Sequence, residues 1–125
     1  MEINEITGKV IELAIDIHRE LGPGLLESIY EEVLSFELSK NRIPFQSQVH
    51  LPISYKGFQL KQTYRADLIV AEKVIVEIKS IEQLAPVHHK QLLTYLKIAD
   101  LRVGLLINFN ESILKNGLKR IANKY

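Results

Sequence analysis

The chain has 125 residues, 46% of them hydrophobic and 25% charged, an ordinary globular balance with core enough for one domain but not for two. It has no cysteine, which excludes disulfides and thiolate zinc sites and fits a reducing compartment. Sixteen Lys and Arg against fifteen Asp and Glu leave a net charge of +1, so nucleic acid could be gripped only through a local basic patch.

The opening Met1-Glu2-Ile3-Asn4-Glu5 is acidic and lacks the charged-then-apolar pattern of a secretory signal. No apolar run approaches the roughly 20 residues that span a bilayer, so a cytoplasmic location without membrane association is expected. Ile3, Ile6, Val10, Leu13, Ala14, Ile17 and Leu21 recur at three- and four-residue intervals and predict a first helix, stopped by Gly22-Pro23-Gly24. Leu26, Ile29, Tyr30, Val33 and Phe36 give the apolar face of a second helix, which frays near Lys40-Asn41 ahead of Pro44.

The period then changes to two. Val49, Leu51, Ile53 and Tyr55 alternate with His50, Pro52 and Ser54, and the proline marks an edge strand. A two-residue turn at Lys56-Gly57 pairs Tyr55 with Phe58 and Ile53 with Leu60. One face then runs on through Tyr64, Ala66, Leu68 and Val70, over a polar turn at Ala71-Glu72-Lys73, to Val74, Val76 and Ile78. Pro86 opens a third helix with Leu92, Leu93 and Leu96 on its apolar side. The aliphatic run Val103, Leu105, Leu106, Ile107 is an interior strand joined to the preceding one by a parallel crossover. Leu114, Leu118 and Ile121 predict a short closing helix. The expected order is helix, helix, three antiparallel strands, helix, strand, helix: an α/β fold with a mixed four-stranded sheet flanked by helices, and residues 1–125 as a single domain.

Chemistry concentrates in the central hairpin. A turn centred near Glu72 sets Asp67 opposite Glu77 and Arg65 opposite Lys79, and alternation turns Asp67, Glu77 and Lys79 to one face. Charges on a strand are commonly its solvent face, paired in weak surface ion pairs. Covered by helices, however, two adjacent carboxylates repel and need raised pKa values or a hard divalent cation such as Mg2+ or Mn2+. Glu27 shares a side of its helix with Tyr30 and Glu31. It reads either as a first-turn glutamate favoured by the helix dipole or as a third acidic group, with Tyr30 packing and its hydroxyl orienting Glu27. Gln91 and Tyr95 stand four apart on the third helix, with His88 one turn earlier; they belong either to an amphipathic flank or to the site. His18 reads as a cleft residue or as a capping or core histidine, while His50 and His89 read as surface positions.

Asp67, then Glu77-Ile78-Lys79 across a tight hairpin and followed by a helix and a strand, resembles the PD-(D/E)XK nuclease superfamily, with Ala66 where proline is usual. Gly24-Leu25-Leu26-Glu27-Ser28-Ile29-Tyr30 is similar to the signature of a bacterial branch of it, the GxxExxY proteins. Tyr64-Arg65-Ala66-Asp67 and Gln91-Leu92-Leu93-Thr94-Tyr95-Leu96 extend the likeness from His18 to Phe109. The resemblance implies a restriction-endonuclease-like core (α-β-β-β-α-β) with an extra N-terminal helix. It implies Mg2+ or Mn2+ held by Asp67, Glu77, the Ile78 backbone carbonyl and Glu27, with Lys79 positioning the attacking water and Gln91 and Tyr95 beside it. The corresponding activity is a metal-dependent nuclease acting on DNA in preference to RNA. Phosphates would meet Lys61, Arg65, Lys90, Lys97 and His88, with Arg42 or Lys56 at the rim; the sequence shows no recognition helix, zinc finger or stacking-aromatic cluster, so no base readout is expected. The alternatives are a non-catalytic nucleic-acid-binding or regulatory module on the same fold, or an interaction protein with surface salt bridges. So small a surface leaves room for a homodimer or partner protein.

Overall fold

A computed structural model describes residues 1–124; Tyr125, the end of the expected domain, lies outside the described residues. Helix α1 (Ile3–Leu21) and helix α2 (Glu27–Lys40) precede strands β1 (Phe45–Tyr55), β2 (Phe58–Val70) and β3 (Val74–Lys79). Helix α3 (Pro86–Ala99) leads to β4 (Val103–Asn108), then a 3-10 turn (Leu114–Gly117) and β5 (Leu118–Ala122). The sheet runs β1-β2-β3-β4-β5, antiparallel except for the β3–β4 pair. The α/β architecture is as expected, but the sheet has five strands rather than four.

The fifth strand replaces the expected C-terminal helix. Leu118 and Ile121 sit three apart, a helical interval, yet they fall on opposite faces of the sheet: Leu118 packs toward α1 and α2, Ile121 toward α3. The open edge of the fully buried β4 decides the outcome, because its backbone groups need partners and β5 supplies them from Val103↔Ala122 to Ile107↔Leu118. Gly117 makes the approach possible, since a Cβ there would stand 2.6 Å from the Asn108 carbonyl oxygen. Arg120 ties the new strand back to α1, donating to Asn4 Oδ1 at 2.9 Å and Thr7 Oγ1 at 3.2 Å.

Two apolar cores sandwich the sheet. Ile6, Val10, Leu13, Ala14 and Ile17 of α1 and Tyr30, Leu34 and Leu38 of α2 pack on Leu68, Val70, Val74, Val76, Ile78, Leu105 and Ile107. Leu92, Tyr95 and Leu96 of α3 cover the other face with Ile69, Ile75 and Leu106. Helix α2 is rotated from the expected stripe: Tyr30, Leu34 and Leu38 are buried, whereas Leu26, Ile29 and Phe36 are exposed. The Tyr30 ring fixes the rotation by stacking on Phe109 at 4.4 Å, nearly parallel.

The β1–β2 hairpin also departs from expectation. Tyr55 does oppose Phe58 over a turn in which Lys56 and Gly57 both have positive φ, the geometry that matches hairpin twist. Between Pro52 and Ser54, however, the register shifts, so Ile53 and Leu60 do not continue the ladder of the strand body. The expected single apolar face also breaks at Asp67. Leu68 and Val70 belong to the α1–α2 core, but Ala66 packs under α3.

Candidate active site at the β2–β3 fork

The break at Asp67 has a local cause on each side. On β3, pairing runs from Val70↔Val74 to Leu68↔Val76, a register that sets Asp67 beside Glu77. There the carboxylates replace the main-chain ladder. The Asp67 N–H donates to Glu77 Oε2 at 2.7 Å, and the Ile78 N–H donates to Asp67 Oδ2 at 2.8 Å. The two strands therefore part as a fork, each side chain anchored on the opposite backbone. On β1, Gln48 has φ +50 and interrupts the ladder between Ser47↔Leu68 and Val49↔Ala66. A non-glycine residue in this region is strained, and such strain gathers at functional sites. The Gln48 amide donates to Glu31 Oε1 at 2.7 Å and reaches Asp67 Oδ1 at 3.5 Å.

Electrostatically the fork is overloaded with negative charge. Glu77 is only 5% exposed. Burial, followed by the charge of Asp67, pushes its pKa up to about 8, against the smaller opposing effects of the Asp67 N–H and the Lys79 ammonium. Asp67 is raised as well, chiefly by burial, while the Ile78 N–H and Lys79 pull the other way. Glu31 is raised by burial and by Asp67, against its bond to Gln48 and the nearby charge of Arg65. The arrangement holds carboxylates in place more firmly than it holds their charge.

Helix α2 delivers Glu27 through a chain of contacts. The Tyr30 hydroxyl donates to the Gly22 carbonyl at 2.5 Å and accepts from the Leu25 N–H at 3.2 Å, pinning the Gly-Pro-Gly turn. The Ser80 hydroxyl donates to the Leu25 carbonyl at 2.5 Å, and the Ser80 N–H donates to Glu27 Oε2 at 3.2 Å. Glu27 is thus latched to the residue after Lys79, near enough for its charge to raise Asp67. Tyr30 fastens the loop and does not bond Glu27. Beyond Ser80, the fully buried Asn108 side chain bonds the N–H and carbonyl of Ile81 at 3.1 and 3.0 Å and so sets the loop into α3.

From the other side comes Tyr95, buried, with its ring 5.2 Å from Tyr64. Burial and then the charge of Glu77 push its hydroxyl up to about 12, so it remains a proton-bearing donor at neutral pH. Gln91, half-buried one turn earlier, makes no hydrogen bond to the acidic pair among the described residues. The His88 ring accepts the Ala85 N–H through Nδ1 at 2.9 Å and so closes the first turn of α3. Lys61, Arg65, Lys90 and Lys97 are exposed. His18 is buried and bonds the Glu111 carbonyl at 2.7 Å, the core alternative of its two readings. His50 pairs with Thr63 at 3.0 Å.

The sequence pattern of the PD-(D/E)XK nuclease superfamily matches residues 4–121. The chain belongs to that superfamily. Comparisons with curated proteins and with solved structures gave no match. PD-(D/E)XK proteins are typically divalent-metal dependent, and the fork suits such an ion chemically. Its donors are hard oxygens, and Glu77, pushed up to about 8, holds a proton that a cation would replace. Among the described residues no three His, Asp or Glu side chains converge closely enough to hold one ion.

Three members of the arrangement were missed in the sequence: Glu31, Gln48 and Ser80. Glu31 had a signal, its place one turn after Glu27. Gln48 had none, because it depends on a left-handed residue inside a strand. Ser80 follows Lys79 directly but gains meaning only from α2.

Proposed function

We propose that the chain is a metal-dependent phosphodiesterase cutting DNA, with RNA the secondary substrate. The observation that carries this reading is the reciprocal anchoring of Asp67 and Glu77, which keeps two charge-strained carboxylates fixed beside Lys79. Asp67 and Glu77, with the Ile78 carbonyl, would hold Mg2+ or Mn2+ directly, and Glu27, latched to Ser80, would reach the ion through one of its waters. Such an ion, when bound, neutralises developing phosphate charge and makes bound water acidic. Lys79 orients the attacking water and takes part in its proton transfer. Tyr95, kept protonated, donates toward a phosphate oxygen, and Gln91 flanks it. Lys61, Arg65, Lys90, Lys97 and His88 are the phosphate contacts, sequence-independent and weakened by salt.

The fit of Gly24, Glu27 and Tyr30 to the GxxExxY signature supports that bacterial branch, a cytoplasmic setting and residues 1–125 as one domain. A homodimer or partner protein would enlarge the grip on substrate.

The test is cleavage of mixed DNA and RNA substrates in Mg2+ or Mn2+ by the wild type and by a Glu77→Ala, Lys79→Ala double variant. Wild-type cleavage that the variant lacks is expected; equal, background-level products from both would sink the enzyme reading. The sparse side-chain ligand set favours a second reading, a binding module without turnover. That reading predicts calorimetric metal binding lost in Asp67→Asn and no cleavage of any substrate.

A further inference from the structure

Strands β1 and β2 continue well past the sheet. Pairing with β3 uses only residues 68–70 of β2, whereas pairing with β1 runs out to Tyr55↔Phe58. Along β1, from Gln48 opposite Asp67 to Tyr55, the seven steps reach roughly 23 Å at about 3.3 Å each. The result is a two-stranded arm whose base, Leu51 and Ala66, packs under α3 and whose outer part, Pro52 and residues 54–59, is exposed.

The composition of this arm differs sharply from that of the body. Residues 45–66 contain Lys56, Lys61, Arg65 and no acidic residue; α3 contains Lys90, Lys97 and again none. These two elements, which share the Val49, Leu51 and Ala66 core, thus hold five Lys and Arg and no Asp or Glu. Of the chain's 16 basic and 15 acidic residues, the rest of the molecule keeps 11 against 15. The net charge of +1 conceals this segregation.

The arm also displays aromatic rings. Tyr55 is 62% exposed and Phe58 66%, and as directly opposed residues they share a face. Lys56 Nζ lies 5.4 Å from the Tyr55 ring centroid. Nearer the body, beyond the register shift, the Tyr64 ring meets Tyr95. Aromatic faces interspersed with cations are the recognition chemistry of unpaired bases, since a base inside a duplex is already stacked.

We propose that the β1–β2 arm, with α3 beside it, binds single-stranded nucleic acid: Tyr55 and Phe58 stack unpaired bases, and Lys56, Lys90 and Lys97 meet phosphates as the strand runs toward Asp67 and Glu77. Lys61 and Arg65 add to the positive field. The shared chemistry is a phosphate chain with free bases, DNA or RNA. A second copy of the chain is the poorer occupant, because two arms would bring six cations together with no acidic residue between them. Binding stands independently of cleavage, but the direction toward the fork rests on the phosphodiesterase reading.

The test is fluorescence anisotropy in EDTA with a labelled 20-nucleotide DNA, an RNA of the same sequence and the corresponding DNA duplex. Wild type should bind a single strand at least tenfold more tightly than duplex, with log K falling against log salt by about 0.7 for each phosphate neutralised. Tyr55→Ala, Phe58→Ala should weaken single-strand binding by about tenfold or more while leaving duplex binding unchanged. A Tyr55→Leu, Phe58→Leu variant keeps apolar bulk without the stacking face and should show the same loss, with circular dichroism reporting an intact fold. Equal affinity for single strand and duplex, wild-type binding by the Leu variant, or a change of sedimentation from dimer to monomer in either variant would overturn the proposal. Cleavage in Mg2+ is scored separately. Binding intact without cleavage removes the phosphodiesterase reading and leaves the arm; cleavage with arm variants indistinguishable from wild type removes the arm and leaves the phosphodiesterase.

Discussion

Glu77→Gln isolates the charge held at the fork. The glutamine carbonyl oxygen still accepts the Asp67 N–H, so the change removes a titration and keeps a hydrogen bond. In the metal-free wild type the Glu77 pKa rises from about 4.5 unfolded to about 8 folded. Between those values the folded state holds a proton that the unfolded state has lost. Its stabilising effect is full below pH 4.5 and disappears as pH climbs through 8, at about 1.4 kcal/mol per unit. Integrated over the window, the loss is at most about 5 kcal/mol, a large share of the stability of a small domain. Asp67, also raised, acts in the same direction from a lower starting pH. Urea denaturation in EDTA from pH 5 to 8 should therefore show wild-type stability falling steeply and Glu77→Gln nearly level, with the two converging near pH 5. Millimolar Mg2+ should flatten the wild-type curve. A wild-type curve that is level or rising, or a glutamine variant with the wild-type slope, would refute the reasoning.

Three further substitutions probe what surrounds the fork. Tyr30→Phe keeps the stack on Phe109 but strands the Leu25 N–H and Gly22 carbonyl, at a cost of about 1–3 kcal/mol by chemical denaturation. Gly117→Ala drives a Cβ against the Asn108 backbone and should lose about 1–3 kcal/mol, whereas the three atoms nearest a Cβ at Gly104 all belong to the Leu92 side chain, at 3.0–3.1 Å, and Gly104→Ala should lose less; paired thermal melts compare them. Asn108→Leu removes bonds to both Ile81 backbone groups and to the Asn110 N–H, so a loss of roughly 3 kcal/mol is expected, with faster hydrogen exchange in residues 80–85.

The Asp67–Glu77 juxtaposition was legible in the sequence because it depends on a short turn and a two-residue period, both local. The helix limits at Leu21, Lys40 and Pro86 were legible for the same reason, through glycine and proline punctuation. What escaped was settled at a distance. The Leu118 and Ile121 spacing fits a helix until β4 offers an unpaired edge. The rotation of α2 depends on Phe109, far along the chain from Tyr30. The change of face at Asp67 depends on the left-handed Gln48, with no glycine or asparagine to announce it. Glu31 entered the site through that same residue.

The bonds from Ser80 to Leu25 and Glu27 span 55 and 53 residues, whereas Asp67 and Glu77 are joined through a turn of three. Hairpins close in microseconds, while ordering a loop of fifty residues adds entropy that later contacts must repay. The acidic pair therefore closes a short, local loop, whereas Glu27 joins it only across the long loop that brings α2 to Ser80. Of the three carboxylates, Glu27 is thus the one whose place depends on the whole domain being assembled, and loosening of α2 would release it while the Asp67–Glu77 pair stays joined.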